Sequence, residues 1–287
     1  MGAMMRIDPH AHTICSDGTQ PPRELVRSAQ EAGLDIVGIC DHDTLEGWEE
    51  AASAALELGV GLIRGAEISA AHEGLSVHVL AFLPDPTNPD FRRILHSARN
   101  SRAERLEEMA ARLAVDYPLL SWESVQARAY GAPLGRPHLA DELVEKGYFA
   151  DRSAAFSWAL HTQGPYYVHQ KIASPVEVVR VIRGAGGVPV LAHPRAYLRG
   201  RILSEDRIAE MAEAGLYGLE RDHRDHDAAG RADVDRISTR LGLAITGGSD
   251  YHGSGKPNAL GENLLSPRVL AEIEEQGSIP VVGGKKG

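Results

Sequence analysis

The sequence predicts an α/β protein: a barrel of parallel strands carrying a mostly helical insertion. Three observations lead there. Apolar strand-like runs alternate with helical ones over residues 5–99 and again over 171–280, the pattern of βα units closing into a sheet. Side chains of the kind that bind metals stand at or near the ends of those strands, where a parallel barrel carries its site. Between Pro84 and about Tyr166 no strand pattern occurs, so 100–170 reads as an insertion that lids the site.

The stretch Arg6–Thr13 opens as a strand with His10 and His12 at i and i+2. Their rings share a side because strand side chains alternate. Such a pair can grip one ion, or can be two solvent-facing polar residues; the partners that converge on it decide. Asp17 follows in the turn Ser16-Asp17-Gly18. Thr19-Gln20-Pro21-Pro22 introduces a helix to Ala32, stopped by Gly33. Ile36–Cys40 is a buried-type strand leading into Asp41-His42-Asp43. A helix from Leu45 to Leu58 precedes the strand Gly61–Ala66, which ends at Glu67. Ser76–Phe82 is a strand with His78 inside it.

Pro84–Pro89 is a linker into a long helix over about 90–113, whose charges Arg102, Glu104, Arg105 and Glu107 are expected on a solvated face. Shorter helical pieces follow near 122–130, 137–146 and 153–161. Ser174-Pro175 caps a helix to Ala185, and Val188–Ala192 is a strand ending at His193-Pro194. A helix over 204–214 leads to the strand Tyr217–Glu220. Another helix runs to Leu241, and Leu243–Thr246 is a last strand into Ser249-Asp250-Tyr251-His252. Residues 1–4 read as a foreign leader ahead of Met5, and 282–287 as a disordered end.

The charge balance narrows the function. A net charge of -10 argues against a binder of extended duplex nucleic acid, which needs a basic surface. It leaves room for a small nucleotide or short oligonucleotide held by a local site. Cys15 and Cys40 are the only cysteines and form no disulfide framework, so a cytoplasmic setting is the simplest. No apolar run is long enough for a membrane helix, and nothing points to an obligate protein partner.

Nine candidate ligands stand at or near strand ends: His10, His12, Asp17, His42, Glu67, His78, His193, Asp250 and His252. Any one of them has an ordinary explanation as a surface or hydrogen-bonded residue. Nine on one barrel face exceed the need of a single ion and suggest two or three. Mixed imidazole and carboxylate donors suit manganese, iron or zinc better than magnesium. Asp8, Asp41 and Asp43 flank these positions and are expected to orient the histidines by accepting from them.

The combination His10-Ala11-His12, Asp41-His42-Asp43, Glu67 after a strand and Ser249-Asp250-Tyr251-His252 resembles the PHP (polymerase and histidinol phosphatase) superfamily of metal-dependent phosphoesterases. The resemblance spans about residues 5–265 and implies a distorted (β/α)7 barrel. It implies a first metal site of His10, His12, Glu67 and Asp250, and a second in which Glu67 bridges to His78 and His193. Asp17, His42 and His252 would hold a third ion. Manganese is the first choice, with iron or zinc as alternatives.

Glu67, Asp250 and His193 are the expected catalytic residues, acting on a hydroxide between the metals. Gly135-Arg136-Pro137-His138 is similar to the subgroup acting on nucleoside 3′,5′-bisphosphates or on short RNA from its 5′ end. Arg136 is therefore the first substrate contact, with His138, Lys171, Arg195 and Asn263 in support. The charge-dense run Glu220–His226 departs from the family pattern and is expected to be a solvated loop, with His223 its one candidate contact. A phosphatase of the histidinol-phosphate type and a non-catalytic metal-binding module are the competing readings.

Overall fold

Seven strands lie side by side in chain order: β1 (Ile7–Ala11), β2 (Ile36–Ile39), β3 (Gly61–His72), β4 (Leu75–Phe82), β5 (Val188–Leu191), β6 (Gly218–Asp222) and β7 (Ala244–Gly247). The computed structural model describes residues 5–129, 134–169, 172–197 and 200–283. The sheet curls until its two edges meet. Asp250 N–H donates to His10 C=O at 2.9 Å, and His12 N–H donates to Tyr251 C=O at 2.8 Å. The result is the distorted seven-stranded α/β barrel expected for the chain.

The distortion has a local cause. Six strands run parallel, whereas β4 is antiparallel to both of its neighbours. The expectation of parallel strands, with one of them ending at Glu67, is corrected here. β3 continues five residues past Glu67 to His72 and turns back through Glu73-Gly74. Both turn residues have positive φ (48° and 76°), as a two-residue hairpin turn of this type requires. A two-residue turn leaves no room for a crossover helix, so β4 must run antiparallel.

Helices α1 (Pro22–Glu31) and α2 (Trp48–Leu58) cover the first strands. Between β4 and β5 come α3 (Pro89–Asp116), α4 (Trp122–Arg128), α5 (Arg136–Glu145) and α6 (Arg152–Ser157). The chain then returns to the barrel with α7 (Pro175–Gly184), α8 (Glu205–Glu213), α9 (Ala228–Leu241) and α10 (Pro267–Gln276). The long helix α3 belongs to two cores: Phe91, Ile94 and Leu95 pack into the barrel layer, while Leu106, Met109 and Leu113 pack with Val125, Leu139 and Leu143 of the helical region.

The serines before the helices act as expected of caps. Ser174, Ser204 and Ser266 each accept from a backbone N–H three residues on. The last of these starts α10, a helix the sequence reading passes over although Ser266-Pro267 repeats the signal of Ser174-Pro175. Val282, expected in a disordered end, exchanges two backbone hydrogen bonds with Leu62. Residues 1–4 and 284–287 lie outside the described residues. No helix among the described residues is long and apolar enough to cross a membrane.

Candidate metal centre

Because six strands share a direction, their C-terminal ends open on one side of the barrel, and the nine ligand candidates gather there. β4 arrives reversed, so His78, near its start, reaches the same side. In the β3–β4 register Ser69 faces His78 and Glu67 faces Leu80. Glu67 and His78 therefore share a sheet face on the diagonal, and Glu67 Oε1 lies 2.8 Å from His78 Nδ1.

Three groups of donor atoms result. His10, His12, Glu67 and Asp250 form one, with His12 Nε2 3.0 Å from Glu67 Oε2 and 3.3 Å from Asp250 Oδ1. His42, Glu67 and His78 form a second, and His193 Nε2 reaches the same carboxylate at 3.0 Å. His12, Asp17, His42 and His252 form a third, with His252 Nε2 3.1 Å from Asp17 Oδ1. Glu67 offers one oxygen to each of the first two groups. His12 and His42 each have a ring nitrogen in the third group as well as one in another.

The geometry fits cations better than hydrogen bonds. His10 Nε2 and His12 Nε2 face each other at 3.1 Å. Donors about 2.1 Å from a divalent ion stand roughly 3.0–3.4 Å apart, the spacing seen between the closest of these atoms. Asp17 Oδ1, His42 Nδ1 and His252 Nε2 are buried atoms without a hydrogen-bond partner among the described residues, which is costly unless an ion takes them up.

The electrostatics point the same way. Burial works against the Glu67 carboxylate, but His78, His42 and His10 outweigh it and hold its pKa well below the ordinary range. Burial likewise opposes the charge of Asp250, and Lys256 and His252 outweigh it. Burial and the Lys256 charge push His252 down to about 4, leaving it neutral as a ligand must be.

Asp8, Asp41 and Asp43 do not act as expected. Asp41 accepts from the Thr13 backbone and from the hydroxyls of Thr13 and Ser16. Asp43 accepts from Ser69 N–H and Oγ–H and from Arg102, and Asp8 from the backbone of Ser249 and Gly261. They brace the loops that carry the ligands rather than the imidazoles. Asp43, His193 and Asp250 hold left-handed backbone (φ 55°, 32° and 53°), a conformation that costs energy for any residue but glycine.

The group that does orient a histidine is Glu220, which the sequence reading places in a solvated loop. Glu220 ends up fully buried, with Oε1 2.8 Å from His10 Nδ1. The charge-dense run leaves the end of β6 at Asp222, and its buried residues come at every third position. Glu220, His223 and His226 point inward, while Arg221 pairs with Asp222 and Asp235, and Arg224 with Glu262.

The expected substrate contacts divide. The Arg136 guanidinium stands 5.4 Å from the Phe156 ring and 5.5 Å from the Tyr167 ring, and donates to Leu160 C=O. His223 is buried with Nε2 3.4 Å from Asp250 Oδ2. His138 Nδ1 accepts from Gly135 N–H and so fastens the start of α5. Arg195 is corrected: its guanidinium is buried against Asp233 and the carbonyls of Pro194 and Leu203. Asn263 sits two residues before Leu265, which bridges Ile7 at the start of β1. Asn258 lines the site instead and donates to Ser249 C=O. Lys171 lies outside the described residues.

Two residues assigned to a solvated face are buried beside the centre. Arg102 and Arg105 share a cavity of about 460 Å³ with Asp17, His42, His78 and Arg136. Their signal was spacing: they continue the Leu95–Ala98 apolar stripe of α3, where a solvated charge does not belong. Arg102 Nε and Arg105 Nε are buried donors without a hydrogen-bond partner among the described residues. Burial and the charges of Arg136 and Arg102 lower the Arg105 pKa to about 9, still a cation at neutral pH. A second cavity of about 430 Å³ shares His78 and Arg136 with the first and is lined further by His193, Tyr167, Leu203, Gln163 and Arg201.

A model of the PHP domain matches residues 8–157. The chain is 32% identical over 254 residues to the 3′,5′-nucleoside bisphosphate phosphatase of Chromobacterium violaceum, covering 88% of this chain and 89% of that one. It is 30% identical over 259 residues to a 5′-3′ exoribonuclease of Haemophilus influenzae, covering 90% and 94%. A solved structure from Bifidobacterium adolescentis, described as a metal-dependent phosphoesterase, superposes with a TM-score of 0.91 at 41% identity over 97% of this chain and 99% of that one.

Proposed function

Since the chain belongs to the PHP-domain family of metal-dependent phosphoesterases, we propose that it removes phosphate from a small nucleotide bearing a second phosphate. A nucleoside 3′,5′-bisphosphate or the end of a short RNA fits that description. The observation that carries this reading is the arginine-lined cavity. One wall holds Asp17, His42 and His78, and the other holds Arg102, Arg105 and Arg136. The Nε–H groups of Arg102 and Arg105, buried without a hydrogen-bond partner among the described residues, are suited to a phosphate that is not the one being cleaved. The second cavity, where Tyr167 and Leu203 stand beside Gln163 and Arg201, would take the base. The phosphatase and exoribonuclease named above act on substrates of this kind, which supports the same reading.

Two or three divalent ions, manganese first, would supply a water of lowered pKa and neutralise the phosphoryl oxygens. His10, His12, Glu67 and Asp250 would hold one, Glu67 with His78 and His193 a second, and Asp17, His42 and His252 a third. Glu67, Asp250 and His193 border the reacting phosphorus in this arrangement. Arg136, whose guanidinium lies near the rings of Phe156 and Tyr167, would fix the distal phosphate and thereby the reacting one.

The test is phosphate release with manganese from a nucleoside 3′,5′-bisphosphate, the matching 5′-monophosphate and histidinol phosphate. The bisphosphate should turn over best. Preference for histidinol phosphate would overturn the substrate assignment while leaving the hydrolytic one standing.

A further inference from the structure

Glu220 touches two of the candidate ligands at once. Its Oε1 lies 2.8 Å from His10 Nδ1, and its Oε2 accepts from the His193 backbone N–H at 2.8 Å. The carboxylate is fully buried, and Gly248 makes the approach feasible. A Cβ at Gly248 would stand 2.5 Å from His10 Cβ and 2.8 Å from Glu220 Oε1. No side chain other than hydrogen fits there.

We propose that Glu220 is a positioning residue that fixes the proton of His10 on Nδ1 and holds His193 in its left-handed conformation, so that both rings present Nε2 to the metals. A neutral imidazole carries one proton, and the nitrogen that bears it cannot ligate. His10 Nε2 faces His12, Glu67 and Asp250, so the proton must sit on Nδ1, where Glu220 Oε1 accepts it. The other oxygen spans from β6 to the second residue after β5 and satisfies the amide of a residue with φ 32°. One carboxylate thus sets two ligands that the metal assignment places on different ions.

Glutamine is nearly isosteric but has one acceptor where glutamate has two. A backbone N–H cannot become an acceptor, so the Gln oxygen must serve His193. The amide NH₂ then faces His10 Nδ1 and forces the imidazole proton to Nε2. Glu220→Gln therefore removes the lone pair of His10 from the centre without removing a ligand.

The inference rests on the metal assignment, and its test separates the two. The full-length protein, stripped with chelator, is titrated with Mn²⁺, and bound ions per chain and affinity are compared for wild type, E220Q, H10A and the double variant. E220Q should bind one ion fewer, or bind it about 10- to 100-fold more weakly. In the H10A background E220Q should add less than it does alone, as coupled residues require. Metal-free E220Q should still unfold cooperatively, losing only the stability that the Glu220–His10 pair lends it, so that the metal affinity is read on a folded chain.

Wild-type affinity and stoichiometry in E220Q, or a lowered metal-free melting temperature with unchanged affinity, would overturn the inference. A wild-type chain that takes up no Mn²⁺ would overturn the metal assignment beneath it. If E220Q does not fold, E220D, which keeps both oxygens on a shorter arm, is read against the same outcomes.

Discussion

Arg102 Nη2 on α3 lies 2.8 Å from Asp43 Oδ2, and the pair fastens the helical region to the loop that presents His42. Arg102 also donates to Ser69 Oγ, and both members of the pair are buried. Removing one partner of a buried pair strands the other charge. Arg102→Met should cost on the order of 3 kcal/mol in urea unfolding and should lower kcat through the displaced His42. Unchanged unfolding and turnover would show that the link carries no load.

Arg105 should behave in the opposite way. Its Nε is buried without a partner, and the charges of Arg136 and Arg102 oppose its own. Arg105→Met should leave the substrate-free protein as stable or about 1 kcal/mol more stable. The same variant should raise KM for a bisphosphate while sparing a monophosphate. Equal losses on both substrates would place Arg105 outside the distal phosphate site.

The ligand assignment is tested most directly at His10 and Asp250. Either alanine variant should lose several kcal/mol of transition-state stabilisation, about a thousandfold in turnover. The measurement is phosphate release with Mn²⁺ in excess. Turnover equal to wild type in both variants would remove the mechanism.

Metal uptake should be strongly pH-dependent. Burial opposes the cation of His12, but Asp250 and Glu67 outweigh it and raise its pKa from 6.5 to about 9. In the metal-free protein that contribution to stability is complete below pH 6.5 and is lost as pH rises through about 9. His252, lowered from 6.5 to about 4, works the other way. The unfolded chain takes its proton first, so stability falls as pH drops from 6.5 towards 4. Burial opposes the Glu220 charge, but His10 holds its pKa down at about 2, so its contribution is present above 4.5 and lost below. Metal-free thermal stability should peak near neutral pH, and Mn²⁺ binding at pH 7 should release protons, as calorimetry in buffers of different ionisation enthalpy would detect.

What the sequence disclosed follows physical lines. His10, His42 and Asp250 were legible because each stands at or just past the end of an apolar strand, and strand ends in a parallel barrel share one side; Glu67 was legible because it follows the apolar run into Ala66, although β3 continues beyond it. The reversal of β4 was less so, since Glu73 is an uncommon residue for the left-handed turn position it fills. The distance from Glu67 to the next strand was the better clue, because nothing between them could form a crossover helix. Arg102 and Arg105 were misjudged by charge when their spacing along α3 placed them inward. Glu220 was hidden in a charge-dense run whose buried residues, Glu220, His223 and His226, recur at every third position across the end of β6, which is not the twofold period of a strand. Its partner His10 lies 210 positions away, a distance no local pattern spans.

The meeting of β1 with the segment after β7 has a consequence in time. His10 and His12 are synthesised well before Asp250 and His252. The centre that needs all four cannot exist on a partly made chain, however much of the barrel has begun to form. Metallation therefore waits for the last strand to reach the first, and a ribosome-tethered fragment ending before Asp250 offers no complete cradle for a wrong ion to fill.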